Sequence, residues 1–391
     1  MKLAVVDEGK VLVYIPDPLE ALAPHGLEPA WLPVFYNPKM EFNRDLSVLA
    51  LQVYVDKLSP HKPVIIVEPL AATGVRALRY ALEVKNILRV YASDISEDAY
   101  ELAQLNIALN NAWDKVSFFR VDANMLMYNL RTLKIPVLAV DIDPYGSPAP
   151  FMEATLNILG NGGLLMVTAT DTAVLEGSKK SKALRRYGVY TTKTPSSREI
   201  AVRTLLGYIA RIAAAHDKWI EPLISIYVDY YVRLILLARR GAKEAEKMIE
   251  EKIGYAHYYP KLNYTTIRPY SVEDYVGNLE AIRIGPLWVG ETLKREFIET
   301  CLEELRGKFE HLRTKARIIK LLEMLKEEAL IQEELYIRLD SIASMLKKQT
   351  PPKRRLIEEL RARGFKATIT HYHPAAIRTN ASIKELTSSP P

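Results

Sequence analysis

The chain has a single cysteine, Cys301, in 391 residues. One thiol excludes an internal disulfide and any metal site built from cysteines, and it fits the reducing cytoplasm better than a secreted compartment. No apolar run is long enough to span a bilayer and no basic-then-apolar leader follows Met1, so neither a membrane anchor nor export is expected. The small-residue turn Pro69–Arg76 contains one glycine, Gly74. The G-x-G-x-x-G of a dinucleotide fold is therefore missing, and pyrophosphate cradling is disfavoured. Internal repeats are absent as well. What is present is an ordinary globular composition, 49% hydrophobic and 26% charged, in a chain long enough for two domains.

The formal charge of +6 is unevenly placed. From Ser341 onward ten basic residues stand against three acidic ones, and this tail carries the whole excess. A second stretch, Lys179 to Arg198, holds seven basic residues and no acid. Clustered cations of this kind suit a polyanion, because phosphate contacts release condensed counterions. A solvated helix face is the plain alternative for either run taken alone.

Hydrophobic periodicity orders the rest. Leu3 to Val6 and Lys10 to Ile15 read as a hairpin, and Val34 to Asp45 as a loop carrying aromatics and Arg44 ahead of a helix at Leu46 to Lys57. Strand and helix then alternate, as in a parallel α/β sheet. The strands are Val64 to Leu70, Arg89 to Ile95, Val116 to Val121, Val137 to Ile142 and Gly163 to Ala169; Ile220 to Leu237 is long enough for a strand pair. The sheet domain is expected to occupy residues 1–250. A smaller α+β domain with a basic surface follows over 251–391.

The strand ends carry the chemistry. Val137 to Ile142 delivers Asp141 and Asp143 to a Pro144-Tyr145-Gly146 turn, at the carboxyl edge where open α/β sheets bind ligands. A carboxylate, a proline and an aromatic in that order can present an exocyclic amine for attack. Asp143 would accept the amine hydrogen and Tyr145 would hold the ring. Asp141, two residues earlier on the same face, is the rival acid, and an ordinary Asp-started turn is the bland reading. Asp94 can accept ribose hydroxyls, and Asp122 an adenine amino group with the next backbone N–H donating to the ring. Each acid alone reads as a cap or turn residue. Together they describe a nucleoside without phosphates beside an amine acceptor, which is S-adenosyl-L-methionine.

At this point the chain resembles the tRNA (guanine-26-N2) dimethyltransferase family along nearly its whole length. The matching pieces are Phe35-Tyr-Asn-Pro38 with Asn43-Arg44-Asp45, Glu68-Pro69 with Thr73-Gly74-Val-Arg76, Asp141-Ile-Asp143-Pro144-Tyr145-Gly146-Ser-Pro148, Thr170-Asp171, Leu206 to Arg211, Gly285-Pro286-Leu-Trp288 and Thr370-His371-Tyr372. The resemblance implies a Rossmann-like class I methyltransferase sheet with a C-terminal α+β RNA-binding domain. It also implies a cytoplasmic enzyme that transfers one or two methyl groups to N2 of guanosine 26. It assigns Arg44, Arg76, Asp94, Asp122 and Ala123 to the donor, Asp143 to the amine, and Phe35 with Tyr145 to stacking the base. Tyr145 replaces a common Phe, an exchange that keeps the π-face.

On this reading the base is flipped out of the tRNA, and the Pro144 carbonyl helps aim the amine. Arg361, Arg363 and Arg378 are the expected tRNA contacts. No obligate protein partner is evident. Many relatives carry Cys-Pro-x-Cys-Gly where this chain has Tyr259-Pro-Lys-Leu-Asn263, so no zinc is expected, and His257, His371 and His373 read as ordinary hydrogen-bonding side chains. Rival readings are an amino-methyltransferase of another RNA or DNA base and a non-catalytic tRNA-binding chaperone.

Overall fold

The computed structural model describes residues 1–24, 26–59, 63–270, 280–347, 349–350 and 352–387. Lys348 of the basic tail and 271–279 lie outside that description. The chain divides into two compact units, Met1–Val167 with Thr300–Lys320, and Thr168–Glu299 with Leu321–Pro391. This differs from the expected boundary at residue 250. One reason is that 300–320 returns to the first unit, where Thr314 donates through N and Oγ1 to Asp45 Oδ2 at 3.0 and 2.6 Å and His311 meets Glu83 at 3.1 Å.

In the first unit β1 (Leu3–Glu8) and β2 (Val11–Pro16) form an antiparallel hairpin in which Glu8 faces Val11. Its turn glycine, Gly9, has φ +61°, and a Cβ there would lie 2.2 Å from Glu83 Oε1. Only glycine lets the turn pass so close to that carboxylate. A short turn, Pro38–Met40, capped by Asn37 Oδ1 at 3.0 Å from Lys39 N, starts helix α1 (Glu41–Val53) earlier than expected. Asn43, Arg44 and Asp45 therefore stand on a helix rather than in a loop.

The alternation then runs β3 (Val64–Glu68), α2 (Val75–Glu83), β4 (Ile87–Asp94), α3 (Glu97–Leu109), β5 (Val116–Arg120), α4 (Ala123–Thr132), β6 (Val137–Ile142), α5 (Met152–Ile158) and β7 (Gly163–Ala169). β3 is parallel to both β4 and β6, β4 to β5, and β6 to β7. All residues of β3 and β7 are buried, as expected for strands covered by helices on both faces. The chain leaves β3 for one side of the sheet and later returns to its other side at β6. That reversal opens a crevice at the carboxyl ends.

The second unit contains α6 (Thr172–Leu175), α7 (Lys180–Tyr187), α8 (Ser197–Ala214), and the antiparallel pair β8 (Lys218–Val228) and β9 (Tyr231–Arg240). The seven-stranded sheet has the order β8-β9-β7-β6-β3-β4-β5. After α9 (Ala242–Lys252), strands β10 (Ile253–Tyr259), β11 (Tyr264–Pro269) and β12 (Ile282–Trp288) form a three-stranded sheet with β10 central. The Tyr259–Asn263 segment is the β10–β11 turn, closed by Asn263 in the left-handed region and a Tyr258 Oη bond to Asn263 Oδ1 at 3.2 Å.

Helices α10 (Arg295–Gly307) and α11 (Lys315–Glu328) follow. The C-terminal module has β13 (Ile337–Arg338), α12 (Leu339–Leu346), α13 (Lys353–Ala362), β14 (Ala367–Ile369), β15 (Ala376–Thr379) and α14 (Ile383–Thr387). They enclose a small core that includes Ile337, Leu356, Leu360 and Ile377. The chain thus has a Rossmann-like central sheet with further, smaller sheets beside it in sequence.

Candidate active site

The site grows from the end of β6. Asp141 is the last-but-one residue of that strand and is fully buried; its Oδ2 accepts from Tyr80 Oη at 2.5 Å and Arg76 Nη1 at 3.2 Å. Asp143 lies just beyond the strand, 18% exposed, and accepts from Arg76 Nη2. Of the two rival acids, Asp141 is thus sealed and pinned, whereas Asp143 keeps an open side. The carbonyl of Pro144 is engaged by none of the described hydrogen bonds. Tyr145 is 78% exposed and Phe35 is 39% exposed, and their rings lie 6.1 Å apart, tilted by 58°.

Arg76 sits on the first turn of α2, behind Gly74, whose φ of +74° ends the Pro69–Gly74 turn. Buried to 3% exposure, it faces three carboxylates: Asp143, Asp141, and Glu68 at 3.6 Å. Nη1 also donates to Asn43 Oδ1 and Ser47 Oγ of α1, at 3.1 and 3.2 Å. Burial alone would favour the neutral guanidine, but the flanking Asp143 and Asp141 hold it protonated. Burial, reinforced by Asp141 and Asp143, pushes the Glu68 carboxyl well above the usual range even with Arg76 beside it. Glu68 Oε2 has no hydrogen-bond partner among the described residues. Three carboxyls around one guanidinium leave this end of the sheet short of positive charge, which suits a cationic ligand.

Arg44 is engaged on its other side. Nε and Nη2 form a two-pronged pair with Glu8 at 2.5 and 2.6 Å, and the guanidinium stacks 5.2 Å from the Tyr36 ring. Burial would raise the Glu8 carboxyl, but Arg44 and Arg79 bring it down to about 2. Glu68 and Asn43 fall in the matching motifs, but the Glu8 partner of Arg44 and the Ser47 and Tyr80 setting of Arg76 are marked by no sequence pattern. Glu8 lies 36 residues from Arg44, and Asn43 and Ser47 lie 33 and 29 from Arg76, so only the fold joins these.

At the next two strand ends, Asp94 closes β4 and Asp122 precedes α4. Asp94 accepts from Ala72 N at 3.0 Å through Oδ2 and from Ser96 N at 2.9 Å through Oδ1. Asp122 caps α4, its Oδ1 accepting from Asn124 N and Met125 N at 2.9 and 3.2 Å. The bland reading of each acid is therefore realised, and lone pairs remain. Asp122 Oδ2 is engaged by none of the described hydrogen bonds, and neither is the N–H of Ala123, the first residue of α4 and so an orphan donor. A carboxylate acceptor and a backbone N–H donor on consecutive residues are the pair that the amino-plus-ring-nitrogen edge of an adenine needs.

The expected RNA contacts divide. Arg361 and Arg363 are exposed on the C-terminal module, Arg361 Nε donating to Ala367 O at 2.8 Å and Arg363 stacking 5.4 Å from Phe365. Arg378 is only 2% exposed. It donates to Glu199 Oε2 at 2.7 Å, Glu328 Oε2 at 3.3 Å and Glu334 O at 2.7 Å. A guanidinium saturated in this way has no face for a phosphate, so Arg378 is corrected to a core ion pair. His371 joins it, its Nδ1 lying 2.7 Å from Glu328 Oε1. No described helix is long and apolar enough to cross a membrane.

Comparison with known proteins bears on this arrangement. Residues 27–389 match the family model for N2,N2-dimethylguanosine tRNA methyltransferase. A tRNA (guanine(26)-N(2))-dimethyltransferase of Aeropyrum pernix is 40% identical, with 97% of this chain and 95% of that protein covered. The protein of the same name from Saccharolobus solfataricus is 37% identical over 99% and 98%. A solved complex of Trm1 from Pyrococcus horikoshii with S-adenosyl-L-methionine superposes with a TM-score of 0.86, at 31% identity, covering 98% of this chain and 99% of that one.

Proposed function

The chain belongs to the N2,N2-dimethylguanosine tRNA methyltransferase family, and from that premise we propose how its residues transfer methyl groups from S-adenosyl-L-methionine to N2 of guanosine 26 in tRNA. The observation that carries the proposal is Asp143: a carboxylate held by Arg76 at the carboxyl edge of the sheet, with one side open, in the same strand-end turn as an exposed ring that faces a second one.

When bound, S-adenosyl-L-methionine supplies an electrophilic methyl on a sulfonium. Asp94 receives the ribose hydroxyls, and Asp122 Oδ2 with the Ala123 N–H reads the adenine edge. Arg44 and Arg76 set the charge at the amino-acid end, and the surplus of carboxylates around Arg76 favours the sulfonium over its neutral product.

The guanine is extruded, at a cost of a few kcal/mol of lost stacking. Stacking on Phe35 and Tyr145, at roughly 1–3 kcal/mol per aromatic contact, offsets that cost. A base between two parallel rings needs roughly 7 Å, twice the optimal carbon–carbon separation. The two rings therefore part by about an ångström and lose their tilt as the base enters. Asp143 accepts one N2 hydrogen and the Pro144 carbonyl the other, which aims the nitrogen lone pair at the methyl. As the N–C bond forms and the S–C bond breaks, the N2 proton passes to Asp143. A second transfer requires the monomethylated amine to present its remaining hydrogen to the same carboxylate.

The test is single-turnover methylation of unmodified tRNA, with nucleoside analysis of the product. Asp143→Ala is expected to lose about 10²-fold or more in rate with donor binding intact. Near-normal turnover would remove Asp143 from the role.

A further inference from the structure

Two motifs, Thr170-Asp171 and Gly285-Pro286, have no part in the chemistry above, and both hold the same segment. Asp171 follows β7 by two residues, and its carboxylate accepts from Tyr187 Oη at 2.8 Å and Arg186 Nη1 at 2.8 Å. Tyr187 is fully buried, its ring edge-on to Tyr208 at 5.3 Å, and its carbonyl accepts from Arg211 Nη2 at 2.7 Å. Three residues later the backbone of Tyr190 exchanges two hydrogen bonds with Gly285, at 3.0 and 2.9 Å. Gly285 has φ +144°, and a Cβ there would lie 2.8 Å from Tyr255 Cδ1, so the bridge needs glycine.

The segment so tethered is α7 with its flanks. Lys179, Lys180, Lys182 and Arg185 are all exposed, and none is paired with an acid among the described residues. Arg186 and Lys193 of the same stretch are paired, with Asp171 and Glu176. Like charges three residues apart on a helix repel by about 0.2–0.5 kcal/mol per pair, and Lys182 and Arg185 of α7 have that spacing. A helix that served only solvation would mix its signs. This one is unmixed and is clamped in place by a mostly buried carboxylate. The Tyr190 ring beside it is 67% exposed although its backbone is fixed.

We propose that Lys179–Tyr190 is a preformed strap for the RNA backbone, its four free cations taking phosphates of the tRNA and Tyr190 stacking on an unpaired base. The proposal rests on tRNA being the substrate, as argued above, and it adds a surface that the C-terminal module does not supply.

The experiment is equilibrium binding of labelled, unmodified tRNA to the full chain over a salt series. Lys180→Gln/Lys182→Gln/Arg185→Gln is expected to weaken binding about tenfold or more near 0.1 M salt. It should also make the plot of log affinity against log salt shallower by about one for each phosphate no longer neutralised. Each single glutamine variant should show a proportionate share, and Lys180→Arg/Lys182→Arg should bind like wild type. Tyr190→Ala should lose about tenfold with the salt slope unchanged. Donor affinity should be the same in all of them. A triple variant that melts like wild type and keeps both the affinity and the salt slope would overturn the strap. Failure of the functional reading shows elsewhere, as a wild-type chain that binds tRNA but transfers no methyl to it.

Discussion

Arg76 donates to Asp143 from a position 67 residues away in sequence, and the same guanidinium spans to Asp141. This pairing fixes one oxygen of Asp143 and so the direction in which the carboxylate presents the other, which makes it an orienting group. Removing the cation leaves Asp141 buried and Asp143 mostly buried without compensation. Arg76→Ala should therefore cost about 3–5 kcal/mol of stability, seen as a lower midpoint in urea unfolding. The loss of methyl transfer should exceed that of donor binding.

Glu68 tests the same cluster with the opposite sign. Its carboxyl is raised by burial and by its carboxylate neighbours, so the folded state binds the proton more tightly than the unfolded one. The stability it contributes is complete below the unfolded value of 4.5 and is lost as pH rises towards the raised folded value. Glu68→Gln, which mimics the protonated form, should match wild type at low pH and become progressively more stable than it as pH rises. Melting temperatures from pH 4 to 8 check this; a difference that shrinks with pH would exclude a raised carboxyl.

Glu8 behaves the other way. Its carboxyl falls from 4.5 to about 2, so its contribution is present above pH 4.5 and is lost as pH falls towards 2. Glu8→Gln breaks a buried two-pronged pair with Arg44 and should cost about 3–5 kcal/mol at pH 7. The gap to wild type should narrow between those two pH values. Since Glu8 is what fixes Arg44, donor affinity should fall as well.

The ring pair gives a graded prediction. Phe35→Ala and Tyr145→Ala should each lower kcat/KM for tRNA by the equivalent of about 1–3 kcal/mol, whereas Tyr145→Phe should stay within about twofold because the π-face is retained. A Tyr145→Phe loss as large as that of the alanine variant would mean the hydroxyl, not the ring, does the work.

The alternating apolar runs and their terminal acids make the sheet legible, because buried parallel strands admit few polar residues until they end. Helix α4 carries a signal too, since Ala123, Leu126, Met127 and Leu130 repeat at helical spacing behind an Asp122 cap. The same aspartate reads equally well as a ligand, and that second reading masks the helix. Arg378 is not legible as a core ion pair, because a cation in a basic tail looks the same whether it is solvated or paired. Its partner Glu199 is 179 residues away, and no local pattern announces such a pair. The return of 300–320 to the first unit is equally silent, since it depends on single side chains such as Thr314 and His311.

Asp122 offers the sharpest separation of structure from binding. Its Oδ1 caps α4, while Oδ2 and the N–H of Ala123 are engaged by none of the described hydrogen bonds. Asp122→Asn keeps an oxygen for the cap and points an amide N–H₂ where the adenine amino group must donate, so two donors face each other. The melting temperature should hardly move, since cap replacement by Asn is nearly neutral. Donor affinity should fall about tenfold or more, because a buried donor left unsatisfied costs roughly 1–3 kcal/mol. Asp122→Ala should lose both the cap, about 1 kcal/mol, and the donor. Calorimetric titration of the donor against both variants decides the matter: full affinity in Asp122→Asn would leave Asp122 a helix cap and nothing more.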